Sequence, residues 1–297
     1  MENKLKNMTL KKILNLHEEA THIKLKKVCE EYGTFVFPKL RVADVLPIEN
    51  SGISKEAYRF ALQSHFDFVV VNSNHDPLFS VEFDGPSHQS TIQKERDCRK
   101  DKLCEQFDFP ILRINSKHLI KKYRNFDLLT WFIEVWFLRE SFYKAQNDGL
   151  VPWDEPFDPM LFMNITGRKE NFPMWLSVEL RAKIQHLWKS RKCMDCVPSE
   201  LIGIDKQGNY HGLSWIMIDE KKGVYTQATM QNKNFPIVPS EILGEILVFQ
   251  LYEELSQVLR NKSKGYDREF IDQMIKNNSE HYEMRLYSGI SRNINVT

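Results

Sequence analysis

Glu82 and Asp84 stand two residues apart in Ser80-Val81-Glu82-Phe83-Asp84, which runs into Gly85-Pro86-Ser87-His88. Arg96-Asp97-x-x-Lys100-Asp101 begins eight residues beyond that histidine. In an extended strand Phe79, Val81 and Phe83 share one face, and Ser80, Glu82 and Asp84 share the other. Two carboxylates on one face of an otherwise apolar strand repel each other, and a cation held between them relieves that repulsion. A half-exposed edge strand with polar outward positions gives the same alternation. Upstream, His65-Phe66-Asp67-Phe68-Val69-Val70-Val71 is an apolar run broken by one acid, as in a strand covered on both faces. A buried acid there needs a partner, a proton or a metal. The turn-rich Asn72–Pro77 segment joins the two runs as an antiparallel hairpin, so Asp67, Glu82 and Asp84 are expected within reach of one Mg²⁺ or Mn²⁺. Their mutual repulsion predicts that Asp67→Ala preserves or raises stability.

A helix is expected from Thr91 to Phe107. Ile92, Arg96, Lys100, Leu103 and Phe107 fall at helical spacing on one face, so two cations interrupt a core-facing stripe. Snorkelling of both side chains to nearby solvent accounts for them. So does their pointing at the acidic cluster or at a phosphate bound there. Phe109 to Ile114 reads as a further buried strand. Before these elements, Asn15 to Glu31 has a helical pattern in Leu16, Ala20, Ile23 and Val28, and Thr34 to Leu40 reads as a strand. The order helix, strand, strand, strand, helix, strand specifies a mixed α/β architecture.

Together, Asp67, Glu82-x-Asp84-Gly85-x-x-His88, Arg96-Asp97-x-x-Lys100-Asp101 and Pro110-x-Leu112-Arg113-Ile114 resemble the PD-(D/E)XK nuclease superfamily. Within it they resemble a bacterial branch of DUF2726-type domains related to very-short-patch repair endonucleases. Phe37-Pro38-Lys39-Leu40-Arg41-Val42-Ala43-Asp44 fits that branch's upstream segment, and the likeness spans roughly residues 10 to 120. The resemblance implies a restriction-endonuclease-like mixed sheet flanked by helices. It implies Asp67 as the main metal-binding acid, Glu82 as the second acid of the motif, and Glu18 or Glu19 of the first helix as a further contributor. Glu19 borders the apolar stripe of that helix. The superfamily motif places a lysine two positions after its acid, where this chain has Asp84. Lys100 is then expected to supply the missing charge from the helix, or catalysis has been lost.

Phosphodiester hydrolysis requires an in-line water and stabilisation of the charge that grows on the phosphate oxygens. Mg²⁺ or Mn²⁺ on Asp67, Glu82 and Asp84 would activate the water, while Lys100 or Arg96 orients it or holds the phosphate. His88, past the Gly85-Pro86-Ser87 turn, is a candidate proton relay, although a histidine after such a turn also suits plain surface.

The 297 residues carry a net charge of only +1, so no global field marks the chain for nucleic acid. The distribution is uneven. Between Lys94 and Arg124 ten basic residues face five acids, and Leu180 to Met194 holds five basic residues and no acid. Lys94, Arg99, Lys117 and Lys121 are the candidate phosphate contacts. There is no apolar stretch with a cleavage site at the N-terminus and no membrane span, and five cysteines fit a reducing cytoplasm better than a disulfide framework. Thr130 to Tyr143 reads as a buried helix or an interaction face.

A nuclease-like domain over residues 1–147 and an α+β accessory domain over 148–297 are expected, with the boundary in the Pro- and acid-rich stretch from Asn147 to Pro159. The second half reads as a helix from Leu176 to Lys189, then strands Glu200–Asp205, Gly212–Asp219 and Gly223–Met230. A helix capped by Ser240 follows, and then a polar tail with one short helix. Cys193-x-x-Cys196 with His186 and His211 is a weak zinc signal. The function expected is a metal-dependent endonuclease acting on DNA in repair, restriction or phage defence, with no membrane association and a homodimer or protein partner formed through the second domain. The alternative is a non-catalytic module on a nuclease fold that binds nucleic acid or a protein partner.

Overall fold

Asn15 starts the first helix, α1 (Leu16–Glu31), with a capping box. Its Oδ1 accepts from the backbone N–H of His17 and Glu18, and Glu18 Oε2 accepts from Asn15 N–H at 2.9 Å. The computed structural model describes residues 11–85, 91–120, 127–157, 176–231 and 235–289. The buried face of α1 keeps Val28 of the expected stripe but not Leu16 or Ile23. Leu16 and Ile23 are 79% and 64% exposed, whereas Thr21, Leu25, Val28 and Cys29 are buried. His17 and His22 stack on Phe83 and Phe68, with ring centroids 5.3 and 5.8 Å apart. The side toward the sheet thus begins with stacking histidine rings and a buried threonine, which a count of apolar residues passes over.

The chain divides into two compact units, Met1–Ser141 with Lys233–Pro236, and Phe142–Asn232 with Ile237–Thr297. In the first, β1 (Phe35–Pro38), β2 (Phe68–Val71), β3 (Pro77–Phe83) and β4 (Ile111–Ile114) form one mixed sheet in that order. β1 to β3 are antiparallel. β4 lies parallel to β3, reached through α4 (Thr91–Gln106). Pairing of Phe37 with Val69 and of Glu82 with Arg113 puts Phe35, Phe37, Val69, Ser80, Glu82 and Arg113 on one face. Phe68, Phe79 and Phe83 occupy the other. That second face is covered by α1 and by α5 (Leu128–Asn147), whose Trp136 ring lies 4.6 Å from Phe79.

Two helices that the periodicity did not bring out, α2 (Val42–Val45) and α3 (Lys55–Gln63), share the first face with α4. Ala61, Phe66, Val69, Leu103, Cys104 and Ile111 form its core. Along α4, Lys100 and Leu103 face inward as expected, while Ile92 and Arg96 are exposed.

The second unit is an antiparallel sheet of β5 (Ser199–Ile204), β6 (Tyr210–Met217), β7 (Lys222–Met230), β8 (Tyr266–Asp267) and β9 (Glu283–Ser288), ordered β8-β7-β6-β5-β9. α6 (Val178–Lys189) and α7 (Pro239–Leu259) pack on one face, and α8 (Arg268–His281) on the other. Ser240 is not the cap of α7. Pro239 stands in its first turn and Val238 is the N-cap, with no side-chain cap bond. β9 comes from the tail read as polar. Nearly every residue of this edge strand is exposed, so it shows no alternation to detect. Arg181 donates to Glu200 at 2.8 Å and lies 3.5 Å from Glu245, so one guanidinium is shared between two buried acids. A Cβ on Gly244 would approach Glu200 Oε2 to 2.8 Å, so this helical glycine leaves room for the network. All five cysteines are free thiols, and His211 bonds Asp205 at 2.8 Å rather than completing a zinc set with Cys193 and Cys196. No helix among the described residues is long and apolar enough to cross a membrane.

Candidate active site

Asp67 immediately precedes β2, and Glu82 lies near the end of β3, its antiparallel neighbour. Glu82 is 3% exposed. Its Oε1 accepts from the backbone N–H of Asp67 at 3.0 Å, and its Oε2 from Lys100 Nζ at 2.5 Å. Lys100 Nζ also donates to the carbonyl of His65 at 2.7 Å. Asp67 Oδ2 accepts from Phe83 N–H at 2.9 Å, and Oδ1 from Lys39 Nζ at 2.6 Å. Lys39 reaches on to Glu18 Oε1 at 2.9 Å. Acids and lysines therefore alternate, Glu18–Lys39–Asp67 beside Glu82–Lys100.

Lys39 follows directly on β1 in the left-handed conformation, φ 57°, while its N–H bonds the Asp67 carbonyl at 3.0 Å. That conformation costs a non-glycine residue about 1 kcal/mol, and it persists where surrounding contacts over-determine it. Here those contacts are two carboxylates and one carbonyl.

Burial pushes the Glu82 carboxyl up to about 7 against the pull of Lys100, and Asp67 adds to the rise. Burial alone would lower Lys39, but its hydrogen bonds to Asp67 and Glu18 outweigh it and hold the ammonium above its ordinary value. Since Glu82 titrates higher in the fold than its ordinary 4.5, ionising it there costs free energy. The Glu82 contribution to stability is greatest below that ordinary value, declines as pH rises toward 7, and is level above. The decline amounts to roughly 3 kcal/mol at most. Denaturant melts in EDTA at about pH 5 and about pH 8 should show wild type losing stability relative to Glu82→Gln. Glu200 and Glu245, also raised by burial, cancel in that difference. Parallel changes in the two proteins would show that Glu82 does not titrate in this interval.

Asp84 does not join the other acids. Arg113, paired with Glu82 across β3 and β4, projects from the same face. It donates from Nη1 to Asp84 at 2.9 Å, from Nε to Asp101 at 2.9 Å and from Nη2 to the Asp97 carbonyl at 3.2 Å. Burial would lower its guanidinium, but Asp101 and Asp84 prevail and raise it. The expectation of three converging carboxylates is corrected to two, because strand register gives Asp84 an arginine. Among the described residues no three histidine, cysteine, aspartate or glutamate side chains gather as a metal-holding group.

The two acids lie in a cleft of about 1240 Å³ lined by the start of α1, by Lys39, Ser64, His65, Asp67 and Glu82, and by Gln93, Arg96, Asp97 and Lys100 of α4. Ser64 Oγ in this lining is buried without a hydrogen-bond partner among the described residues. Of the expected cations, Arg96 lines the cleft. Lys94, Arg99 and Lys117 are exposed away from its lining. His88 and Lys121 fall outside the described residues. Sequence reasoning did not single out Lys39, His17 or His65. The available signal for Lys39 was a basic residue directly after a strand and Pro38. Glu18, rather than Glu19, turns toward the acids, because α1 is rotated onto its histidines.

A family model described as protein of unknown function (DUF2726) matches residues 10–126. No curated protein matches the chain. No solved structure matches it either.

Proposed function

We propose that the first unit is a metal-dependent nuclease of the PD-(D/E)XK kind, with a restriction-endonuclease-like sheet and DNA as its substrate. The observation that carries this reading is Lys100 Nζ on Glu82 at 2.5 Å. The motif position two residues after Glu82 holds an aspartate, and a helix one crossover later returns the lysine to the same carboxylate. Mixed strand order, the hairpin acids and the cleft support the same reading.

The donor set suits Mg²⁺ or Mn²⁺, which take hard carboxylate oxygens, and Mg²⁺ is commonly held through one or two of them with waters and substrate phosphates. Asp67 and Glu82 would hold it, with Glu18 linked through Lys39, and the orphan Ser64 hydroxyl offers a hydrogen bond to an oxygen-rich ligand. When bound, such an ion supplies a lowered water pKa and neutralisation of phosphate charge. The chain's own groups do the rest. Lys100 donates toward the attacking water or a phosphate oxygen, Arg96 at the cleft wall holds the strand, and Lys39 fixes the Asp67 carboxylate. Asp84, turned to Arg113, does not line the cleft and is left out of the Asp67–Glu82 pair.

Incubating the full chain with supercoiled plasmid and with RNA, each with Mg²⁺, Mn²⁺ or EDTA, tests the reading. Metal-dependent nicking is expected. Plasmid and RNA both left intact at high protein would favour the second reading, a nucleic-acid-binding module that has lost catalysis. The ion pairs Lys39–Asp67 and Lys100–Glu82, which balance both acids without a metal, are what favours it. Under either reading the cleft cations predict salt-sensitive binding. Duplex affinity should fall by roughly 0.9 log unit per decade of salt for each phosphate neutralised. Titrations by fluorescence anisotropy that give a flat salt profile would exclude the cleft as a backbone contact.

A further inference from the structure

β1 is an outer strand of the first sheet, and two large aromatic residues stand on its open face. Phe35 and Phe37 are 49% and 37% exposed. The edge of β1 is blunted by its four-residue length and by Pro38, but the exposed aromatic groups are a liability unless something binds them. His75, in the β2–β3 turn, lies against both. Its ring is parallel to Phe35 at 5.7 Å between centroids and tilted on Phe37 at 6.2 Å. This turn is built to hold it. His75 adopts φ 69°, its N–H bonds the Asn72 carbonyl at 3.0 Å, and Asn72 Oδ1 accepts from the N–H of Asn74 and Asp76. The three rings form a fixed, solvent-facing surface.

Its direction is set by register. Phe37 pairs with Val69, and Lys39, two residues further along, pairs its N–H with Asp67 and sends its ammonium to that carboxylate. Phe35, Phe37 and Lys39 therefore follow one another on a single face, ending at the cleft acids. Alternate residues of a strand are about 7 Å apart, twice the ~3.4 Å rise of stacked bases. Successive rings can thus each take a separate base of a splayed strand. Aromatic faces spaced along a path that ends among cations are how sequence-tolerant binding of unpaired strands is achieved.

We infer that Phe35, Phe37 and His75 form a base-stacking platform that leads an unpaired nucleic-acid strand along β1 into the cleft. This platform rests on the nuclease reading for what lies at its end, and it names single-stranded nucleic acid, or the unpaired extension of a duplex, as the substrate class.

The test uses the full chain carrying Asp67→Asn, in EDTA, with fluorescein-labelled DNA and RNA oligonucleotides of about 15 nucleotides and the DNA duplex of the same sequence. Adding Phe35→Leu and Phe37→Leu should weaken binding of the unpaired DNA, the unpaired RNA or both by at least about tenfold, with duplex binding unchanged. Thermal melts confirm folding. His75→Ala, on the turn rather than the strand, provides a second variant with a smaller loss of the same selectivity. Equal losses on unpaired and duplex probes, or no loss, would overturn the platform. A wild-type dimer in gel filtration that the leucine variant dissolves, with unpaired-strand binding intact, would assign the face to a second copy and also overturn it. Selective loss of unpaired-strand binding, in a protein whose wild type cuts no nucleic acid with any metal, would keep the platform and remove the nuclease reading.

Discussion

Asp67→Asn is expected to abolish metal-dependent cleavage while leaving the fold intact. The carboxylate begins a central strand, faces the cleft and lies beside Glu82, so removing its charge removes half of the hard-oxygen pair available to a cation. Metal-assisted stabilisation supplies several kcal/mol to the transition state, and its loss corresponds to on the order of a thousandfold or more in rate. The amide still offers an oxygen to Phe83 N–H, which the carboxylate now satisfies at 2.9 Å. Asp67→Ala does not. It leaves that N–H without an acceptor and Lys39 with Glu18 alone, at a cost of about 1–3 kcal/mol. The sequence-based expectation that the alanine preserves or raises stability is thereby reversed, because Lys39 and Lys100 already offset the repulsion between the acids. Plasmid nicking and denaturant melts of both variants check the two statements. Cleavage by Asp67→Asn near the wild-type rate would place the chemistry elsewhere.

The second large effect is at Lys100. Its ammonium is held by Glu82 and the His65 carbonyl, and the residue is 8% exposed, so it contributes little to initial capture of a strand. Lys100→Ala should lower the cleavage rate by roughly a hundred- to a thousandfold, with substrate affinity nearly unchanged, as for a group acting in the transition state. It should also destabilise the fold by up to about 3–5 kcal/mol near neutral pH, since a buried Glu82 loses its partner. That cost shrinks at lower pH, where Glu82 takes up a proton. Combining Lys100→Ala with Glu82→Gln should recover most of the stability and none of the cleavage. Recovery of cleavage would show that Lys100 serves only the fold. Full activity in the single variant would end the case for a lysine delivered from α4.

Much of this site could be read from local pattern. The alternation Ser80–Asp84 placed Glu82 on the face opposite Phe79, Val81 and Phe83. The spacing of Lys100 and Leu103 turned the lysine inward along α4. Other parts were hidden for definite reasons. α1 turns Thr21 and the stacking rings of His17 and His22 toward the sheet, so an apolar stripe misjudged its rotation and with it the choice between Glu18 and Glu19. α3 offers only one short inward face, Ala57, Phe60 and Ala61, and β9 is so exposed that it carries no alternation.

The sequence alone determined α1, α4 and the four strands of the first unit, though not α2 and α3, together with the acids Asp67 and Glu82 and a buried lysine one crossover away. Each depends on side-chain direction within one strand or helix, which the backbone repeat dictates. Only tertiary structure decided how the charges pair. Asp84 and Glu82 share a strand face, yet Arg113 in the parallel neighbour takes Asp84, while Lys100 takes Glu82 and Lys39 takes Asp67. Ion pairs form between groups that register and helix rotation bring within about 3 Å, and those distances are set by elements far apart in the chain.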